Sequence, residues 1–481
     1  MADKNCIIDF ENAKIKTAIE ELGRYIKMNK YVSGEMQFTD NTNAVYFLKA
    51  FGDVVRYCVS WKKFVIWNKT YWKIDTSNCV ESMCRNFVSK LYRAQRYISD
   101  PRLRRDFERH LIKSESFRRI QALVGMLKYS EDIIVDENEF DKDIYLFNLD
   151  GVTLNLKTGK GAPPNPKQLL TKKSNFIFNK DAKCPTWNMF LMQIFNKDIP
   201  LIHYIQKVMG YSLSGDTSEQ IMFILWGAGA NGKSTFLNTI QSLMGDYACS
   251  TNIETFMKRH GDHSNDLARL RGMRLVSTSE VEQGQALSES LIKVVTGGDK
   301  VTARFLYGEF FSFIPTFKIF MTTNHVPKIR GADDGIWRRI KLIPFTVTIP
   351  QEQRDKHLTE KLMAENSGIL NWLLQGYAYW KKEGLSDEPP AVRNANEDYR
   401  MDMDVVGTFI SDCLEHDASY KWRLKTTDLY NAYVKWCTAN KEKIMSQKWL
   451  SLRMKEKGYK RMATNGQRVW LGLILKNEWK A

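Results

Sequence analysis

Gly227-Ala228-Gly229-Ala230-Asn231-Gly232-Lys233-Ser234, continued by Thr235, is the stretch on which the fold of this chain turns. Gly227 and Gly232 frame four residues and are followed by Lys and Ser, the pattern of a phosphate-binding loop. Ile221–Trp226 before it is a continuous apolar run of buried-strand length, and Ser234–Met244 after it suits a helix. Strand, glycine-rich loop and helix is the order the chemistry needs. Backbone N–H groups can turn toward phosphates without a Cβ in the way, and the helix N-terminus adds partial positive charge. Lys233 can reach the β- and γ-phosphates of ATP, and the Ser234 hydroxyl can ligate Mg²⁺. Composition alone gives about two chance matches per hundred chains of this length; the flanking strand and helix signals lower that further.

Around this loop lie 481 residues, enough for roughly three domains. The net charge of +16 favours a polyanionic partner. No stretch reaches the 18 or so apolar residues that span a bilayer, so no membrane partner is expected. The first residues, Met1 to Cys6, lack the apolar core of a secretory signal. Eight cysteines are too sparse for a disulfide scaffold, and Cys79 and Cys84 lack a second pair to complete a zinc site. A reducing cytoplasm is the expected compartment.

Arg274–Glu282 reads as a β-rich run ending in acids. A Mg·ATP hydrolase needs a carboxylate at a strand end beside the loop and a base for the attacking water. Glu280 is the expected metal-side carboxylate and Glu282 the second acid. Phe317–Asn324 is a further apolar strand, ending in Asn324, placed to hold the lytic water or the γ-phosphate. Arg338 and Arg339 follow Asp333-Asp334-Gly335-Ile336-Trp337 and suit an arginine finger, or for one of them an ion pair with Asp333 or Asp334. The guanine motif of a GTPase does not occur downstream of the loop.

N-terminal to this block, Ala13–Lys27 reads as an amphipathic helix, and Arg56–Ile74 as aromatic strands turning at Asn68-Lys69-Thr70. Arg85–Arg119 carries eleven Lys/Arg against four Asp/Glu on helical spacing, as a solvated face or a nucleic-acid surface. Leu146–Leu156 alternates like a hairpin about Asp150-Gly151, and Pro163-Pro164-Asn165-Pro166 is a stiff connector. The expected domains are residues 1–180, 181–385 and 386–481.

As an ordered set these motifs resemble the superfamily-3 helicases of the AAA+ class, and more narrowly the phage/plasmid and poxvirus-type primase-helicase ATPases. The loop GAGANGKS, the Ser-Glu-x-Glu acids, Lys293–Arg304, Thr322-Thr323-Asn324 and Trp337-Arg338-Arg339-Ile340 carry the resemblance. The Trp/Tyr region at 61–72, LDGVTLNLKTG, Cys184–Trp187 and Gly210-Tyr211 agree with it. Initiators of staphylococcal pathogenicity islands and related mobile elements are the narrower likeness. The resemblance implies an α/β AAA+ core and a ring hexamer moving 3′ to 5′ on single-stranded DNA. It also implies ATP at subunit interfaces, with Arg338 or Arg339 acting in trans. Forked DNA, origin duplex and host replication proteins are the implied partners. Relatives often carry a primase domain ahead of this module. Only about 40 residues precede the shared block here, too few for a primase core, so primase activity is not expected.

Tyr307-Gly308-Glu309 between apolar runs reads as a hairpin tip, with Phe305, Phe310, Phe311 and Phe313 as expected core aromatics. In the resembled family a hairpin here lines the central pore, which makes Lys300, Arg304 and Tyr307 candidate DNA contacts. Toward the C-terminus, Val405–His416, Thr427–Asn440 and Ser446–Lys457 read as helices. Tyr459–Ala463 and Val469–Leu475 read as a hairpin across Asn465-Gly466. Three helices and a hairpin suggest a winged helix, for DNA or for protein docking. Its basic stretch 441–480 carries a net +8, and Lys448, Arg453, Lys455 and Arg468 are the expected DNA contacts. The function expected is an ATP-dependent replicative helicase and initiator. A AAA+ ATPase that remodels nucleoprotein, and an origin-binding protein with ATP as assembly switch, stay open beside it.

Overall fold

The computed structural model describes residues 12–29, 38–258, 264–279, 284–329, 334–417, 419–464 and 467–479. Helices α1 (Asn12–Asn29) and α2 (Asp40–Phe51) lead into strands β1 (Val55–Cys58), β2 (Lys63–Trp67) and β3 (Trp72–Ile74). The expected turn forms between β2 and β3: the Asn68 side chain accepts the N–H groups of Thr70 and Tyr71 while Lys69 takes a positive φ of 79°. Helices α3 (Cys79–Leu91), α4 (Pro101–Ser114) and α5 (Phe117–Leu127) follow, then β4 (Ile134–Val135), which joins β1 in parallel. Asp100 caps α4 through the N–H groups of Arg102 and Leu103, with Pro101 in the first turn. Phe47, Phe87, Leu91, Phe107 and Leu111 meet in the core of this part, leaving most of its basic side chains outside.

Strands β5 (Leu146–Asn148), β6 (Thr153–Asn155) and β7 (Lys160–Ala162) form an antiparallel sheet, turning at Gly151. Their apolar residues Phe147, Leu149, Leu154 and Leu156 pack into the same core as helices α6 (Pro185–Ile194) and α7 (Ile199–Tyr211). The central layer then runs β8 (Met222–Trp226), α8 (Lys233–Met244), β9 (Ala248–Ser250), α9 (Ser264–Ala268), β10 (Leu275–Ser279), α10 (Glu289–Gly297), β11 (Val301–Ala303), β12 (Phe311–Phe313), β13 (Lys318–Thr323), α11 (Asp334–Trp337) and β14 (Ile340–Pro344).

Among the described residues this layer holds a five-stranded, all-parallel sheet of order β14-β8-β13-β10-β9. Strand β8 is a continuous apolar run because both its faces are covered: Phe223 and Leu225 pack into one core, Met222 and Ile224 into another, and all four are wholly buried. Helices α12 (Leu358–Ala364) and α13 (Asn366–Glu383) pack beside α8 and α7. Gly210 and Gly376 let α7 and α13 approach closely, since a Cβ on either would strike the other helix's backbone. Helix α14 (Pro390–Met403) lies along the edge strand, where Asn396 exchanges hydrogen bonds with the N–H (2.9 Å) and carbonyl (3.4 Å) of Leu342.

The C-terminal part comprises α15 (Val405–Cys413), β15 (Leu414–His416), β16 (Arg423–Lys425), α16 (Thr426–Ala439), α17 (Gln447–Glu456), β17 (Arg461–Thr464), β18 (Gln467–Leu471) and β19 (Leu473–Leu475). Strands β16, β18 and β17 form one sheet, and β15 pairs with β19. Ser446 caps α17, accepting the N–H of Trp449. Two expectations need correction. The run 405–416 is not one helix, because its last three residues pair with β19. The run 469–475 is broken at Gly472, whose positive φ of 67° turns the chain between β18 and β19.

Candidate nucleotide site and nucleic-acid surfaces

Parallel α/β sheets bind ligands at the carboxyl ends of their strands, and the glycine loop leaves β8 at that end. Trp226 pairs with Thr323 of β13 on one side and Pro344 of β14 on the other. Gly227 has no room for a side chain, since a Cβ there would meet the Phe345 carbonyl and the Asn231 amide. Asn231, 3% exposed, donates from Nδ2 to that same carbonyl at 3.1 Å, and Ile349 N–H donates to Ala230 O at 2.8 Å. Gly229 and Gly232 take φ of 106° and 82°, and α8 begins at Lys233. The loop is thus held open from behind by the segment that follows β14. Ser234 and Thr235 stand in the first turn of α8, with Ser234 exposed.

Lys233 is 5% exposed, and its amine donates to Gly227 O at 2.6 Å and to Asn324 Oδ1 at 3.3 Å. Burial lowers its pKa below the ordinary lysine value. Asn324 follows β13 and is steadied by a small turn in which Thr323 Oγ1 donates to the His325 carbonyl and accepts its N–H. The Trp226 indole donates to the Asn324 carbonyl at 3.2 Å. Trp226 was not among the residues picked from the sequence; its one signal there is adjacency to Gly227. Strand β10 pairs in parallel with β13 up to Ser279 opposite Thr322, so it ends at the loop's end of the sheet. Glu280 and Glu282 lie outside the described residues.

Arg338 and Arg339 are placed elsewhere. They precede β14, and the Arg339 carbonyl accepts the N–H of Met222 at the opposite end of β8. The length of β8 separates them from Gly227 by about 15 Å. Both guanidinium groups reach Gln220 Oε1, at 3.3 and 3.4 Å, and Arg339 also donates to Gly335 O. Asp334 pairs with Arg400 instead, and Asp333 lies outside the described residues.

Strands β11 and β12 form the expected hairpin, with Gly308 N–H closing onto Phe305 O. Tyr307 at its tip is 98% exposed, Lys300 is exposed at its base, and Arg304 is exposed where β11 runs into the tip. Arg304 lies over the Phe310 ring at 4.6 Å. The expected aromatic core is corrected: Phe313 is buried and Phe311 half-buried, but Phe305 and Phe310 stand in solvent because the strands end before reaching them.

In the C-terminal part Lys448 and Arg468 line one polar groove, together with Lys425 and Arg461. Arg453 is paired with Glu456 on the same helix, and Lys455 is exposed outside the groove. Lys425 and Arg461 were also missed in the sequence, because only the pairing of β16, β18 and β17 brings them together. Among the described residues no helix is long and apolar enough to cross a membrane, and no cluster of three metal-ligating side chains occurs.

Residues 44–196 match the family described as "D5 N terminal like", and residues 225–339 match "Family of unknown function (DUF5906)". A protein of Acanthamoeba polyphaga mimivirus named "Putative helicase L207/L206" is 30% identical over 66% of this chain and 36% of its own length. "Putative helicase 022R" of Frog virus 3 is 26% identical over 54% of this chain and 29% of its own. "Putative primase C962R" of African swine fever virus is 23% identical over 53% of this chain and 29% of its own. The chain therefore spans about a third of the length of these curated relatives. Among solved structures, the apo C-terminal region of NrS-1 aligns with TM-score 0.49 and 8% identity, over 88% of this chain and 96% of that one. Over residues 44–196 the chain is thus similar to D5 N-terminal-like sequences, and over half or more of its length to viral proteins named as helicases or primases.

Proposed function

We propose that the chain is an ATP-dependent replicative DNA helicase and replication initiator. The observation that carries this is the meeting of Lys233 with Asn324 at the carboxyl end of an all-parallel sheet. A loop-borne cation and a polar amide from the neighbouring strand are then aimed at one point, where a γ-phosphate attached to the glycine loop would lie. The cradle that only Gly227 fits supports phosphate binding there. Lys233 binds and orients the phosphates, Asn324 holds the attacking water, and Glu280 or Glu282 takes its proton. Ser234 and Glu280 would hold Mg²⁺, which when bound neutralises charge between the transferring and leaving phosphates.

In this reading Arg338 or Arg339 serves the loop of a neighbouring copy in a ring, a hexamer by family resemblance. Their position at the far end of the sheet supports that, since the length of β8 keeps them from the chain's own loop. The order of one helix (α15), two short strands (β15, β16), two helices (α16, α17) and the β17–β18 hairpin supports a winged helix, and the parallel sheet order supports a AAA+ core. The exposed hairpin tip supports a DNA-gripping element, with movement 3′ to 5′ in a reducing cytoplasm.

Strand displacement on forked DNA, with ATP hydrolysis measured alongside, tests the proposal. Wild type should do both, and Lys233→Ala neither. Hydrolysis without displacement over a range of salt and fork geometries would leave a remodelling ATPase. Mixing Lys233→Ala with an Arg338→Ala/Arg339→Ala double variant should restore part of the hydrolysis each lacks, and no recovery would rule out the trans arginine.

A further inference from the structure

The C-terminal part carries a groove of about 720 Å³ whose walls come from three places: the start of α16, the start of α17 and the β17–β18 hairpin. Lys425, Lys448, Arg461 and Arg468 line it against one acid, Asp428. The walls are tied to each other. Thr426 Oγ1 donates to Arg468 O at 2.8 Å, Gln447 Nε2 donates to Thr426 O at 3.3 Å, and Arg461 donates to Ser451 Oγ at 3.1 Å. The Arg461 guanidinium also lies over the buried Trp470 ring at 5.6 Å, which fixes its direction. Among the described residues Lys425, Lys448 and Arg468 make no ion pair with a carboxylate. Four cations gathered in one concavity, with Asp428 the single acid in its lining, repel each other unless a further anion lies between them.

We propose that this groove is a clamp for the phosphodiester backbone of DNA, contacted by Lys425, Lys448, Arg461 and Arg468. It rests on the reading of the chain as a DNA-binding motor, and it narrows the C-terminal contact. The groove takes backbone phosphates independently of sequence, and Arg453 and Lys455 lie outside it. Phosphate contacts set position on DNA, whereas base edges carry sequence. A polar, cation-rimmed groove offers little to an apolar small molecule, but a backbone presents successive anions to cations on opposite walls.

The test is binding of the full chain to random-sequence duplex and single-stranded oligonucleotides, and to polyglutamate, across a salt series. Lys425→Ala, Lys448→Ala and Arg468→Ala should each weaken DNA binding equally on unrelated sequences. Each should lower the slope of log K against log salt by about 1. Lys425→Glu with Arg468→Glu should lose tenfold or more while keeping the wild-type melting temperature. Lys455→Ala should bind as wild type. Groove variants that melt and bind like wild type would overturn the clamp, as would polyglutamate binding as tight as DNA. If wild type binds neither oligonucleotide at low salt, the DNA-motor reading itself fails; if wild type binds and only Lys455→Ala weakens it, the clamp alone fails.

Discussion

The amine of Lys233 lies 3.3 Å from Oδ1 of Asn324, although 91 residues of chain separate them. The contact exists because β8 and β13 are neighbours in register, with Trp226 opposite Thr323. A cation from the loop and an amide from the next strand therefore share one hydrogen bond. Asn324→Ala removes the amide without touching the loop. Losing one preorganised polar group at such a site costs about 10²-fold in turnover. We expect a loss of that order in kcat for ATP, with KM changed far less. Steady-state hydrolysis checks it, and a large rise in KM with kcat intact would assign Asn324 to binding instead.

Trp226 connects to the same pair by its indole N–H on the Asn324 carbonyl. Trp226→Phe keeps the ring and deletes only that donor. One neutral hydrogen bond is worth about 1 kcal/mol of stability, so the variant should lose no more than that on unfolding, and turnover should fall roughly fivefold if the bond acts by positioning Asn324. An effect confined to the melting temperature would make the indole structural.

Tyr307 shows how a tip residue can be separated from the motor. At 98% exposure it supports no packing, so Tyr307→Ala should leave stability within about 0.5 kcal/mol of wild type. If the hairpin grips DNA, strand displacement should fall sharply while hydrolysis without DNA stays level. Unwinding at the wild-type rate would remove the hairpin from the DNA path.

Much of the site could be read from residues 221–235 because strand, loop and helix are contiguous there and each follows local periodicity. Asn324 was legible for the same reason: it ends an apolar run. The positions of Arg338 and Arg339 were not, because which end of the sheet they occupy depends on β14 pairing in parallel with β8, a partner over a hundred residues away. Strands β15 and β16 are three residues each and too short to show alternation. Phe305 and Phe310 misled for a different reason. Their apolar character argued for burial, while the hairpin's two short strands end before them and leave both rings in solvent.

Lys318 begins β13, the strand that ends at Asn324's turn, and is 2% exposed. Its amine donates to the carbonyls of Ser214 and, at 3.2 Å, Asp216, and it sits 4.6 Å above the Tyr211 ring. Burial, helped by the nearby Arg274 guanidinium and opposed by Asp216, drives its pKa well below the ordinary 10.5. The unfolded chain then holds a proton that the folded chain gives up more readily. Between the lowered folded value and 10.5 the unfolded state binds more protons, so this group's contribution to stability rises with pH across that window. Below the window the penalty for burying the cation is fully present, and above 10.5 it is gone. Lys318→Met deletes the titration. Wild-type stability relative to the variant should therefore climb with pH inside the window, by no more than about 1.4 kcal/mol per pH unit. Denaturation curves for both proteins at several pH values check this, and parallel profiles would mean that Lys318 keeps an ordinary pKa in the fold.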